Sequence, residues 1–335
     1  MLRRAVIGAS IALGAAVVVA AVSLAVVHAG VRRERAPLPA RMDVVAAAQP
    51  GDNPVRLSVA NTARQAMPRS AVLDSALDPK PQEPYVMSHP SFVLEWSDGK
   101  ILLVDVGMDR EGALHFGRPI ELLSGGSAIE PLASAAAQLG AAAERVEAVV
   151  FTHLHQDHVG GVTELCRGRT RPLRVFMTEA QDQRPNYTTR PGRELLAGVR
   201  RGAQREGDAA CVEGVAIASG GLRPLPGFPG VFVIAAGGHT PGSQIVLANV
   251  DDGAGPKQVA FTGDIVNSVA GIDFDVPKPW LYRLLVVPEA DERQGELRRF
   301  LRDLRDRGHV ALVVSHDWLA VAASGIRKLG EPARP

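Results

Sequence analysis

Phe151-Thr-His-Leu-His-Gln-Asp-His-Val-Gly-Gly161 decides how this chain is read. It packs three histidines and an aspartate into six residues, directly after an apolar, strand-like run, in a chain with only 9 histidines among 335 residues. Imidazole nitrogen and carboxylate oxygen are the donors that zinc and similar borderline metals accept, and catalytic sites leave a coordination position open to water. Residues two apart in an extended segment point to the same side. His153 and His155 can therefore grip one ion, while Asp157 and His158, further round the turn, can aim at a second. Gly160 and Gly161 are expected to let the chain bend sharply there, since glycine tolerates backbone angles that other residues resist.

The same pattern recurs downstream. Residues 146–152 read as a buried strand running into the histidine motif, 231–236 as a strand followed by His239, 257–261 as a strand ending in Thr-Gly-Asp264, and 310–314 as a strand ending in Ser-His316. Four strands thus end in metal-type residues, and five of the nine histidines sit at such ends. Strand ends on a rigid sheet can hold ligands to the tolerance that a metal needs. Upstream, 90–96 and 100–105 form a predicted hairpin about Asp98-Gly99 and deliver Asp105 to the end of a buried strand. A carboxylate there must be hydrogen-bonded or paired to justify its desolvation, so Asp105 is expected to orient a metal-binding histidine.

Between these strands, 128–139 reads as a helix stopped by Gly140, 162–165 as the start of a helix, and 173–177 as a strand. Leu297, Phe300, Leu301 and Leu304 form an apolar stripe on a charged helix stopped by Gly308. Residues 181–230, with Pro, Gly and Arg throughout, give no clear period. Phe274, Trp280 and Tyr282, bracketing Pro277 and Pro279, either pack against the domain or wall an apolar pocket beside Asp264. His28, His89, His115 and His309 have no partner motif and read as structural or exposed.

A formal net charge of +1 gives no global basic field for nucleic acid, and the arginine-bearing stretch 167–174 reads as a solvated surface. Residues 5–27 carry no charge and are long enough to cross a bilayer at about 20 residues per span. Arg3 and Arg4 precede this run and Arg32, Arg33 and Arg35 follow it. We read 1–31 as a membrane anchor holding the catalytic domain on the extracytoplasmic side, the alternative being a signal peptide cut near Val27-His-Ala29 and a secreted product. Residues 32–84 hold eight prolines and no sustained period, and are expected to be a Pro/Ala/Arg-rich linker with a short helix near 61–67, ahead of a catalytic domain over 85–335. Cys166 and Cys211 are the only cysteines, and the sequence leaves open whether they pair.

With the early Asp105-Val-Gly107, the runs Thr152-His-Leu-His-Gln-Asp-His158, Gly238-His-Thr-Pro-Gly242, Thr262-Gly-Asp264 and Ser315-His316 resemble, in order, the metal motifs of the metallo-β-lactamase-fold hydrolases. The resemblance covers 85–326. It implies an α/β protein, a four-layer αββα sandwich of two mixed β-sheets with the metals at one edge, here with an N-terminal transmembrane or signal helix. It also implies two zinc ions per chain: His153, His155 and His239 hold the first, Asp157, His158 and His316 the second, and Asp264 bridges them. Such a pair, about 3.5–4 Å apart, shares a water and lowers its pKa to near neutrality. The hydroxide so formed would attack a carboxyl ester, lactone or related bond of a small-molecule substrate, with Asp157 and Asp264 as the catalytic carboxylates and Asp157 taking up and redelivering the proton.

The sequence looks similar to the lactonase and esterase-like branch, through its His-Thr-Pro-Gly motif. It departs from the acyl-homoserine lactonases where their tyrosine, three residues after the bridging aspartate, is Asn267 here. Its amide can still donate to an oxyanion in a substrate-binding role. Thioesterases and phosphodiesterases of the same fold remain alternatives, as does a mononuclear iron enzyme like the persulfide dioxygenases. The intact set of seven ligands favours the dinuclear hydrolase over that rival and over a catalytically silent binding module.

Overall fold

Alternation of apolar side chains along short strands builds two sheets whose inner faces meet. The computed structural model describes residues 2–200, 211–253 and 255–330, with side chains from Leu13 onward. In chain order the strands are β1 (Arg56–Met67), β2 (Tyr85–Glu95), β3 (Ile101–Val104), β4 (Glu130–Pro131), β5 (Val146–Val150), β6 (Leu173–Thr178) and β7 (Val212–Ile217). They continue with β8 (Arg223–Pro224), β9 (Val231–Ala235), β10 (Gln244–Asp251), β11 (Pro256–Phe261), β12 (Ala311–Val313) and β13 (Arg327–Lys328). One sheet has the order β13-β1-β2-β3-β5-β6-β7, with β4 pairing to β1, and the other β12-β11-β10-β9-β8. Both are mixed: β3, β5, β6 and β7 run parallel beside the antiparallel β1–β2–β3 meander, and β12 runs parallel to β11 beside antiparallel β8 to β11.

The period of two sorts the side chains into layers. In β3, Leu102 and Val104 join the cluster between the sheets, with Phe92, Val246 and Phe261, whereas Ile101 and Leu103 join the cluster on the outer face, beneath Leu165, Leu196 and Val199. A third cluster covers the outer face of the second sheet, where Ile245, Leu247 and Ala260 meet Leu297, Leu301 and Leu304 of the helix Asp291–Gly308. Each such fully buried side chain contributes about 1.5–3 kcal/mol. Three apolar layers between four structural ones make the expected αββα sandwich.

Four local expectations are corrected. Residues 32–84 are not a linker: β1 lies inside the first sheet, pairing antiparallel with β2 from Arg56↔Glu95 to Met67↔Tyr85, and a short helix, Arg41–Ala46, packs Val44 against the second sheet. The helix expected near 61–67 is part of that strand. Its polar side chains hid it, because they are buried against hydrogen-bond partners: Thr62 Oγ1 donates to His89 O at 2.7 Å and Gln65 Nε2 to Ser127 O at 2.7 Å. The helix expected over 128–139 forms only at Ala135–Leu139, where Ser134 caps it by accepting from Ala137 N. The long charged helix keeps Gly308 as its last helical residue and is closed by His309, whose φ of +57° lies in the left-handed region.

Cys166 and Cys211 form a disulfide with Cα atoms 5.7 Å apart, tying the helix Val162–Cys166 to the start of β7. The helix α1 (Leu2–Arg33) precedes the sandwich. Its stretch Leu13–Arg33, with a mean hydropathy of 2.2, is long and apolar enough to cross a membrane.

Candidate metal centre

The C-terminal ends of β3, β5, β9, β11 and β12 deliver Asp105, the 153–158 motif, His239, Asp264 and His316 to one edge of the sandwich, where all of them are buried. The turn after β5 works through space rather than through unusual angles. Gly161 has φ −70°, but a Cβ there would lie 2.4 Å from Val106 O, so only glycine lets this backbone pack against the segment that carries Asp105. Gly161 N donates to Gly107 O at 2.9 Å across the same contact.

The functional side chains fall into three overlapping groups. Potential ligand atoms of His153, His155, His239 and Asp264 all lie within 4.8 Å of one another, as do those of His158, Asp264 and His316. Asp264 belongs to both, with Oδ2 3.0 Å from His316 Nε2 and 3.6 Å from both His153 Nε2 and His239 Nε2, and Oδ1 3.2 Å from His158 Nε2. Asp157 sits in a third group with His316 and His89.

Hydrogen bonds behind the rings fix which nitrogen faces inward. His158 Nδ1 lies 2.8 Å from Asp105 Oδ2, His239 Nδ1 2.6 Å from Glu289 Oε1 and His316 Nδ1 2.7 Å from Ser88 O. Each partner is an acceptor, so Nδ1 carries the proton and Nε2 keeps its lone pair. Thr152 Oγ1 donates to Asp105 Oδ2 at 2.8 Å, which leaves it to accept from His153 Nδ1 at 3.1 Å. His155 is turned the other way: Thr188 Oγ1 donates to Asn186 Oδ1 and so accepts from His155 Nε2 at 3.1 Å, freeing Nδ1. His153 Nε2 and His239 Nε2 are buried without a hydrogen-bond partner, a costly state for a ring nitrogen unless a cation takes the lone pair.

The electrostatics agree with that donor set. Burial, followed by the neighbouring His158, pushes His153 well below the usual imidazole range; burial and His239 hold His155 at about 3; burial and Lys278 lower His239. These rings are therefore neutral, as ligands must be. Burial alone would also lower His158 and His316, but Asp264 and its fellow carboxylates outweigh it and raise both. The carboxylates at this end thus call for positive charge, which a divalent ion supplies. The residues present fit such an ion.

The family model described as the Metallo-beta-lactamase superfamily matches residues 84–316, most of the chain and all of these ligands. The chain belongs to that superfamily. Solved structures share the fold. An N-acyl homoserine lactone hydrolase with the product N-hexanoyl-L-homoserine bound at its catalytic metal centre matches with a TM-score of 0.54 at 16% identity, over 81% of this chain and 97% of that one. A quorum-quenching N-acyl homoserine lactone hydrolase matches with a TM-score of 0.53 at 16% identity, over 84% and 99%. AidC, a dizinc quorum-quenching lactonase, matches with a TM-score of 0.50 at 14% identity, over 78% and 86%. Comparison with curated proteins finds none that matches.

Around the metallo-beta-lactamase site the structure adds residues that no motif marked. His89, read from sequence as structural or exposed, is 1% exposed and places Nδ1 3.1 Å from Asp157 Oδ2. Lys278 and Glu289 are buried against each other and against His239. The signal for both was weak in sequence: a lone lysine and a lone glutamate, each next to a proline. Asp105 takes Thr152 N at 2.8 Å as well as the Thr152 hydroxyl and His158, and holds this position with φ +57°. Asn267 is buried with its Oδ1 unpartnered, and its carbonyl oxygen accepts from Tyr85 Oη at 2.8 Å, the same hydroxyl that reaches His316 O at 2.7 Å. Of the three aromatics expected near Asp264, Phe274 and Trp280 are exposed at the surface. Tyr282 is turned inward: its ring lies 5.6 Å from Lys278 Nζ, and burial, with Glu289, Asp264 and Asp157 nearby, raises its hydroxyl well above the usual phenol range.

Proposed function

We propose that this chain is a dinuclear zinc hydrolase that attacks a carboxyl ester or lactone. The observation that carries the proposal is the inward convergence of the Nε2 atoms of four histidines on Asp264, each with its Nδ1 already bound behind. His153, His155 and His239 would hold one ion, Asp157, His158 and His316 the other, with Asp264 shared. When bound, such a pair supplies an acidified water and an electrophile for the scissile carbonyl. The protein's own part is positioning and proton handling. Asp105, Glu289, Ser88 and Thr152 lock the rings, which removes reorganisation from the reaction. His89 holds Asp157 Oδ2 and so orients that carboxylate, which would accept a proton from the nucleophile and return it to the leaving group.

The choice of ester or lactone is supported by the structural relatives that are N-acyl homoserine lactone hydrolases. Asn267, buried three residues beyond Asp264, is our candidate for a donor to the substrate's oxyanion. We further propose that α1 anchors the chain with its catalytic domain on the extracytoplasmic side, a reading supported by the disulfide, since such bonds persist in oxidising compartments.

A panel of lactones, carboxyl esters, thioesters and phosphodiesters, run on the full chain as purified and after zinc loading, with metal analysis of the chain as purified, tests this. Two zinc per chain with ester or lactone turnover is expected. One iron per chain with thiol-dependent oxygen uptake would replace the proposal with an oxidative one.

A further inference from the structure

The base of α1 is seated on the rim of the metal centre. Along the helix, Leu13, Val17, Val18, Val19, Val22 and Val26 are 57–68% exposed, but Val31 is 1% exposed. His28 Nε2 lies 3.1 Å from Leu284 O, and the Glu34 carboxylate accepts from Gly242 N at 2.7 Å and pairs with Arg184 at 3.2 Å. Arg293 donates to Ala36 O at 2.8 Å. Gly242 ends the loop that carries His239, so the helix leaves the domain beside that loop.

Next to this base a segment loops out of the site and returns. Its two ends, Lys278 and Glu289, are 3% exposed and closed by a 2.6 Å ion pair that touches His239. Its outer part carries Trp280, Leu281, Leu284, Leu285 and Val286, all 40–59% exposed. Tyr187 Oη supports the crest from below, donating to Leu285 O at 3.0 Å. Five large apolar side chains on one short segment are expensive to leave in water, and the segment is continuous with a helix whose own surface suits only hydrocarbon.

We infer that the crest 280–286 enters the same bilayer leaflet as the base of α1, so that the metal centre opens at the membrane surface and takes an amphiphilic ester or lactone whose acyl chain lies in the leaflet. The contact at His28 and Leu284 sets the depth: the crest lies level with the end of the apolar span, where tryptophan is favoured at the interface. The substrate half of this inference rests on the hydrolase reading above; the insertion half does not.

The full chain in nanodiscs of dioleoylphosphatidylcholine, with and without brominated phosphatidylcholine, separates the two. Of the three tryptophans, Trp96 is buried and Trp318 is half-buried against the cluster between the sheets, so Trp280 should supply most of the quenching by brominated lipid, and Trp280→Phe should remove that share. Equal quenching in the two proteins overturns insertion. For the substrate, a long-chain acyl ester in the nanodisc is compared with a short soluble ester of the same alcohol. The double variant Leu284→Ser, Leu285→Ser should lose about tenfold on the embedded ester and keep its rate on the soluble one. Equal loss on both, or no loss on either, overturns the substrate class. If wild type hydrolyses neither ester, the hydrolase reading fails with it, and the quenching result still decides insertion.

Discussion

Lys278 and Glu289 close an ion pair of 2.6 Å directly behind His239, with both side chains buried and the same Glu289 oxygen accepting from His239 Nδ1. Lys278 and His239 hold this carboxyl below the usual range against the upward pull of burial, so it is ionised and fixes the imidazole tautomer. Glu289→Gln keeps the shape but replaces the charged acceptor with a neutral one. It should weaken metal binding at the three-histidine end by about 10–100-fold. Competition with a chelator dye measures this, and an affinity within twofold of wild type would refute the orienting role. Lys278→Met should cost more in stability, about 3–5 kcal/mol, because it leaves a buried carboxylate without its cation.

Asp105 is the corresponding support at the other end. It accepts from Thr152 N, Thr152 Oγ1 and His158 Nδ1 while sitting at φ +57°, where a side chain is tolerated only with local compensation. Asp105→Asn keeps the residue type most at ease in that backbone region but replaces one acceptor oxygen with a donor. The variant should fold, melt a few degrees lower, and retain the three-histidine ion while binding the second at least tenfold more weakly. Metal content after dialysis against graded chelator reads this out. Two tightly held ions in Asp105→Asn would remove Asp105 from the support of His158.

What could be read in the sequence followed from spacing. The strand ends bearing Asp105, His153, His239, Asp264 and His316 were legible because period-two apolar runs stop at polar residues of one chemistry. β1 was not, because residues 58–63 are buried on both faces and Asn61, Thr62 and Gln65 find their partners far along the chain, which leaves no local pattern. His89 was missed for the same reason: what makes it part of the site is Asp157, 68 residues away. The partners of Lys278 and Glu289 were equally invisible, since a buried ion pair is a property of the fold and not of either residue.

Arg69 and Asp78 test how far the segment before β2 is part of the fold. Arg69 Nε and Nη2 donate to the two carboxylate oxygens at 2.8 and 2.9 Å, both residues are buried, and Glu83 lies 3.6 Å from Arg69. Hydrogen bonding to Arg69 lowers the Asp78 pKa from its ordinary value. A carboxylate depressed in the folded state adds stability that is fully present above its unfolded pKa of about 3.9 and is lost as pH falls through the lower folded value. Asp78→Asn should therefore be less stable than wild type by about 3 kcal/mol near pH 7, leaving Arg69 buried with only the half-exposed Glu83 as counter-charge. The gap should narrow below about pH 4 as wild type itself protonates. Urea titrations of both proteins from pH 7 to pH 3 measure it; a gap unchanged at the acid end would mean that the ion pair adds nothing.

The disulfide makes a separable prediction because both cysteines pack against the first sheet's outer cluster and belong to none of the ligand groups. Cys166 and Cys211 are separated by 45 residues, and closing a loop of that length restricts the unfolded chain by about 4 kcal/mol in the chain-entropy account. Around them Leu165, Leu173, Leu196 and Val212 are buried in a shared apolar cluster that does not depend on the bond's chemistry, so the folded state should survive its loss. Reduction, or the double change Cys166→Ala and Cys211→Ala, should lower stability by about 2–4 kcal/mol while leaving metal stoichiometry at 25 °C unchanged. Melts with and without reductant, paired with metal analysis of the same samples, separate the two effects. If ions were lost at temperatures well below the melt, the bond would be holding the 153–158 turn through the helix Val162–Cys166, and its role would be in the site rather than in the chain's entropy.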